Sequence, residues 1–115
     1  MTQFDGVLFH FNDADPGQQR TALRNVANLR AEMSAIPIEI VIQGDALNLV
    51  VASQSQWAGE LASLQNQGVS VAVCLNTMKA RHVEERELVP GTTVVPSAVG
   101  ELVRRQHEGM AYIKP

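Results

Sequence analysis

The chain has 115 residues, 45% hydrophobic and 18% charged, and its 9 basic and 12 acidic side chains give a formal net charge of −3. That size supports one packed core without metal or disulfide staples, and the balance excludes a disordered chain and the basic footprint of nucleic-acid binding. A single cysteine forms no internal disulfide and suits a reducing compartment, the apolar runs fall far short of the roughly 20 residues that cross a bilayer, and residues 1–5 lack the basic start of a secretory leader, so the expectation is a cytoplasmic protein with no nucleic-acid or membrane partner.

The first predicted element is a strand over 6–11, Gly6-Val7-Leu8-Phe9-His10-Phe11, ending in the polar turn 12–17. Asp15 is placed to cap a helix that takes Pro16 as its first residue and runs to about Ser34, with Ala22, Leu23, Val26, Leu29 and Met33 on one stripe. The β-branched run Ile38-Glu39-Ile40-Val41-Ile42 reads as a second strand, stopped by Gln43-Gly44-Asp45. Residues 46–55 fit a helical turn or an extended segment, and periodicity does not separate the two. Ser55 is the expected cap of a second helix carrying Trp57, Leu61 and Leu64 and closed by Gly68.

Val69-Ser70-Val71-Ala72-Val73-Cys74-Leu75 reads as a buried strand, and Asn76-Thr77 opens a helical segment. The charged stretch 77–88 is expected to be helical in part, with Lys79 to Glu87 a solvated face of mixed sign. Pro90-Gly91 is a turn and Thr93-Val94-Val95 a short strand. Ser97 then caps a helix with Val99, Leu102, Val103 and Gln106 at helical spacing, ended by Gly109, and Ala111-Tyr112-Ile113 forms a last strand. Alternating strands and helices with short connections predict one α/β domain over residues 1–115, a three-layer α/β/α sandwich on a mainly parallel five-stranded sheet.

In such a sheet the carboxyl ends of the strands gather along one edge, where ligands bind. That edge collects His10 and Asn12, Gly44 and Asp45, Cys74 and Asn76, and Pro96. Cys74 lies at the junction of strand and helix, where backbone N–H groups favour the nucleophilic thiolate. A buried cysteine also serves as a small hydrophobe, and that reading stands beside the reactive one. His10 is either a base for Cys74 or a histidine satisfied by its surroundings, and no Asp or Glu completes a triad. Gly44 permits a sharp turn or a close approach to a ligand. Asn25 and Asn28, three apart on the first helix, suit a packing or interface role or plain solvation. His10, His82, His107 and Cys74 lack metal-site spacing, and no glycine-rich phosphate loop occurs, so no metal or cofactor is expected.

Several segments together resemble the DsrE/DsrF-like family, including its YchN-like members, over essentially the whole length. They are 7–12 (Val7 to Asn12), 22–29 (Ala22 to Leu29), 40–44 (Ile40 to Gly44), Val73-Cys74-Leu75-Asn76-Thr77-Met78-Lys79, and the tail from Leu88-Val89-Pro90-Gly91 through Pro96-Ser97 to Tyr112-Ile113-Lys114-Pro115. The resemblance implies a parallel α/β/α domain that assembles into trimers or hexamers. It also implies, from some relatives, sulfur relay through a cysteine persulfide handed to a partner protein. Cys74 matches the family cysteine after the third strand, whereas Leu75 stands where family variants often have glycine.

Two functions follow as expectations. In the first, a sulfurtransferase-like carrier, Cys74 accepts and donates sulfur, the Asn76 and Thr77 amides stabilise its thiolate, His10 and Asn12 shape the pocket, and Asn25 supports the site or contacts a neighbouring subunit. In the second, a non-catalytic oligomer binds a small ligand or a protein at the strand ends, and Cys74 only lines the crevice.

Overall fold

The computed structural model describes residues 5–115. The stretch 1–4, on which the expectation of no secretory leader largely rests, lies outside the described residues. The strands are β1 (Gly6–Phe11), β2 (Ile38–Ile42), β3 (Val69–Cys74), β4 (Thr93–Val95) and β5 (Met110–Ile113). Between them lie α1 (Pro16–Glu32), α2 (Ala58–Asn66), α3 (Leu75–Ala80) and α4 (Ala98–His107), with 3₁₀ turns at Gly44–Leu49 and Glu85–Glu87. The strands form one sheet in the order β4-β3-β2-β1-β5, and every pairing is parallel.

Chain order explains the layers. From β1 to β4 the chain steps in one direction across the sheet, then α4 carries it back past three strands to place β5 beside β1. Right-handed crossovers running in opposite directions put their helices on opposite faces. On one face Val7, Phe9, Ile38, Ile40, Val71 and Val73 pack with Ala22, Leu23 and Val26 of α1 and with Leu61 and Leu64 of α2. Most of these side chains are almost fully excluded from water, worth ~1.5–3 kcal/mol apiece for the larger ones. On the other face Leu8, Val41 and Cys74 pack against Ala98 and Leu102 of α4, with Met110 beside them.

Local chemistry sets the helix ends. The Asp15 carboxylate accepts from the Gln18 N–H at 2.9 Å with Pro16 in the first turn, and the Ser97 hydroxyl accepts from the Gly100 N–H at 2.9 Å. At the other end of α1, Arg30 donates to the Met33, Ser34 and Ile36 carbonyls, which closes the helix at Glu32, two residues before the expected Ser34. The second helix starts later than Ser55. Its N-cap is Trp57, whose indole donates to the Pro16 carbonyl at 2.8 Å, while the Ser55 hydroxyl accepts from the Trp57 N–H at 3.3 Å. Leu75 belongs to α3 and not to β3.

The largest departure concerns α4. Its inward positions are Ala98, Glu101, Leu102 and Arg105, and Val99 and Val103 are 60% and 62% exposed. The expected stripe of Val99, Leu102, Val103 and Gln106 is thus rotated, because Glu101 and Arg105 turn inward to meet Glu39 of β2.

Register at the start of the sheet depends on Gly6. Its φ is +150°, and a Cβ there would stand 2.7 Å from the Pro37 carbonyl oxygen, the group that accepts from Val7 N–H at 2.9 Å. Gly6→Ala is expected to cost about 2 kcal/mol or more in denaturant unfolding; a loss within about 0.5 kcal/mol would contradict this packing.

Candidate functional site

The chain leaving β3 enters α3, whose Met78 packs into the core of the first face, and the chain leaving β4 enters α4 on the second face. The two exits diverge from neighbouring strands, which makes the carboxyl end of β3 and β4 a topological switch point. Cys74 occupies it, in register with Val95 of β4. It is the N-cap of α3, and Ala98, the first residue of α4, packs against it.

The Cys74 side chain is 3% exposed, enclosed by Leu8, Val41, Ala98 and Leu102. Burial pushes its thiol pKa up, but hydrogen bonds from the Thr77 hydroxyl and from the backbone at Thr77, Ala98 and Asn76 outweigh it, and the net direction is down. The Thr77 donor is itself oriented. Its Oγ1 accepts from the Gly44 N–H at 3.0 Å, which leaves the hydroxyl hydrogen for the sulfur. Gly44 makes this approach in a left-handed conformation, φ +58°, as it opens the 3₁₀ turn.

The site thus brings together Cys74, Thr77, the Asn76 amide and, through Thr77, Gly44. His10 lies elsewhere along the edge. Strand β2 separates β1 from β3, which puts it roughly 10 Å away across two strand spacings. Its Nε2 bonds the Gln43 Oε1 at 2.7 Å, so in the neutral ring Nδ1 accepts from the Tyr112 hydroxyl, at 2.8 Å. His10 and Asn12 line a small cleft of about 30 Å³ with Asp13, Gln18 and Lys114. Asn25 is exposed on α1, the helix covering the sheet face opposite Cys74. A wider groove of about 450 Å³ runs between α1 and α2, beside Arg20, Arg24 and Trp57. Among the described residues no group of three or more His, Cys, Asp or Glu is arranged to hold a metal ion, and no helix is long and apolar enough to cross a membrane.

Sequence reasoning missed a second ionisable cluster on the α4 face. Glu39 and Glu101 are each 5% exposed. Arg105 Nε donates to Glu39 at 3.3 Å and to Glu101 at 3.0 Å, its Nη1 donates to Glu108 at 3.1 Å, and Arg104 Nη2 donates to Glu101 at 3.0 Å. Burial, then the hydrogen bond and charge of Glu101, raise Glu39 to about 7 against the pull of Arg105. Burial also pushes Glu101 up, but its bonds with Arg104, Glu39 and Arg105 prevail and lower it. Of the two carboxyls, Glu39 is therefore the one that holds a proton more readily, and Glu101 the one kept ionised. A carboxylate among the isoleucines of a strand whose two faces are both covered was the available signal.

The profile of the DsrE/DsrF-like family matches residues 5–115. Among solved structures, protein MTH1491 of Methanobacterium thermoautotrophicum, described as of unknown function, is similar at TM-score 0.90 and 37% identity, over 95% of this chain and 97% of that one. The ychN protein of E. coli is similar in fold at TM-score 0.82 and 19% identity, over 96% of this chain and 99% of that one. No curated protein matches the sequence.

Two outcomes are expected. Thr77→Val removes the hydroxyl and slows Cys74 alkylation at neutral pH about tenfold, and Thr77→Ser restores it; an unchanged rate in Thr77→Val would remove Thr77 from the site. Glu39 binds in the folded state a proton that the unfolded chain releases near 4.5, so its contribution to stability falls as pH rises from there through about 7. Glu39→Gln is therefore expected to stabilise the fold by about 1–2 kcal/mol at about pH 8 and little near pH 5 in denaturant titrations; destabilisation at the higher pH would contradict the assignment.

Proposed function

The chain belongs to the DsrE/DsrF-like family, and on that footing we propose that Cys74 is a sulfur carrier, taking a sulfane sulfur as a persulfide and passing it to a thiol of an acceptor protein. The observation that carries this reading is the placement of Cys74 at the start of α3 with Ala98 of α4 packed against it, where the neighbouring Thr77 hydroxyl and backbone groups draw the thiol pKa down in spite of burial. A thiolate held in this way is both a better-populated nucleophile and a better leaving group.

In the first step the Cys74 thiolate attacks the sulfane sulfur of a polysulfide or of thiosulfate. A new S–S bond forms at Cys74, and the donor's own bond to that sulfur breaks. The donor leaves with the electron pair as a shortened polysulfide or as sulfite. In the second step an acceptor thiolate attacks the outer sulfur, and Cys74 departs as the thiolate it was. Neither step requires a further oxidant, reductant or metal. The Thr77 hydroxyl and the Asn76, Thr77 and Ala98 amides stabilise the charge on Cys74 in both steps, while His10 and Asn12 shape the neighbouring rim where an acceptor approaches. In this reading the chain acts as a cytoplasmic homo-oligomer. Exposed Val99, Val103, Tyr112 and Ile113 support self-association, and Asn25 is available as a subunit contact on the opposite face.

The 3% exposure of Cys74 favours a second reading, a non-catalytic oligomeric binding module in which the thiol is crevice lining. One experiment separates them. Reduced protein is incubated with a polysulfide donor and its intact mass measured, with Cys74→Ser as control. The carrier reading expects the gain of one sulfur at Cys74, reversed by an added thiol. Absence of that gain, with Cys74 still open to alkylation, overturns it in favour of the binding module.

A further inference from the structure

We propose that α4 is a lid over Cys74 and that the Glu39–Glu101 carboxyl pair, clamped by Arg105, is the pH-sensitive latch that holds it shut. The inference concerns access to the thiol, and it stands whether the thiol carries sulfur or lines a crevice.

The lid follows from what covers the second face of the sheet. Leu8, Val41 and Cys74 share one small cluster, and among the described residues its helical members are Ala98 and Leu102 of α4. The Ala98 backbone is also one of the groups beside the sulfur that favour its thiolate. Movement of α4 away from the sheet therefore uncovers the thiol and withdraws a donor at once.

The latch follows from how little else holds α4 down. Two of its four inward positions are apolar, and the other two, Glu101 and Arg105, are charged. Val99 and Val103 face mostly outward, which leaves Leu102 as the one large apolar side chain of α4 in the buried cluster. Docking thus leans on Arg105 bridging Glu39 and Glu101, two carboxyls that are both almost excluded from water. With a proton on Glu39, that residue, Glu101, Glu108, Arg104 and Arg105 together carry no net charge. When it leaves, three carboxylates share two guanidinium groups, and two of the carboxylates face each other almost out of contact with water. Among the described residues, the strand neighbours of Glu39 bring no further cation to offset this. Its in-register neighbours, Leu8 of β1 and Ser70 of β3, are uncharged, Tyr112 of β5 lies beyond Leu8, and His10 of β1 stands two residues toward the carboxyl edge, occupied by Gln43 and Tyr112. Loss of one proton near neutrality accordingly loosens α4, and more alkaline conditions open the route to Cys74.

The test compares wild type with Glu39→Gln, whose amide donates to Glu101 as the protonated acid does. Cys74 is alkylated with iodoacetamide across the pH range, and the wild-type rate is divided by that of the variant at each pH, which cancels the thiolate fraction the two share while α4 is closed. The ratio is expected near one at about pH 5.5 and to rise to about tenfold or more at about pH 8. A ratio that stays flat overturns the latch. Hydrogen exchange of wild type alone gives an independent reading if the variant fails to fold. Corrected for intrinsic rates, protection of the amides over 98–107 is expected to fall relative to those of β2 as pH rises, and constant relative protection overturns the proposal as well.

Discussion

Two helix starts meet beside one sulfur atom, and the ionisation of Cys74 depends on that meeting. It occurs because β3 and β4 are neighbours whose chains depart to opposite sides of the sheet, so that α3 and α4 both begin within reach of Cys74. A cysteine one residue earlier on β3 would point to the other face and meet neither the Ala98 amide nor the Thr77 hydroxyl. Gly44 completes the arrangement from β2, holding Thr77 by its oxygen and thereby aiming its hydrogen. Three strands thus cooperate at one atom, and the parallel register is what allows it.

The same construction sets burial against reactivity. A sulfur that excluded water without donors would be raised in pKa and inert, as structural cysteines are. Here the donors reverse the sign while the side chain remains almost wholly covered. Accessibility and ionisation meet at α4: the helix covers the sulfur, and its first residue, Ala98, is one of the groups that favour the thiolate. That helix combines two apolar anchors, Ala98 and Leu102, with an ionic cluster, in contrast to α1 and α2, whose residues in the core of the first face are aliphatic.

Much of this was legible in the sequence. The strands announce themselves through runs such as Ile38 to Ile42, and Asp15 with Pro16 marks the start of α1, because these are local signals carried by neighbouring residues. The placement of Cys74 beside the Asn76 and Thr77 amides is local too. The contribution of Ala98 was hidden, since it depends on β4 lying next to β3, which spacing alone does not dictate. The rotation of α4 was hidden for a related reason: periodicity favours burying Val99 and Val103, and only the presence of Glu39 across the interface makes it better to bury Glu101 and Arg105. The turn at Gly44–Leu49 escaped because a short buried 3₁₀ segment carries no helical stripe long enough to recognise.

Labelling Cys74 at Cβ with carbon-13 and following its chemical shift against pH measures the ionisation of this one sulfur without reagent access entering the result. A midpoint clearly below the value of about 8.5 for an unperturbed thiol is what the converging donors require. A midpoint at or above that value would mean that burial prevails, and that Cys74 is a core residue and not a nucleophile.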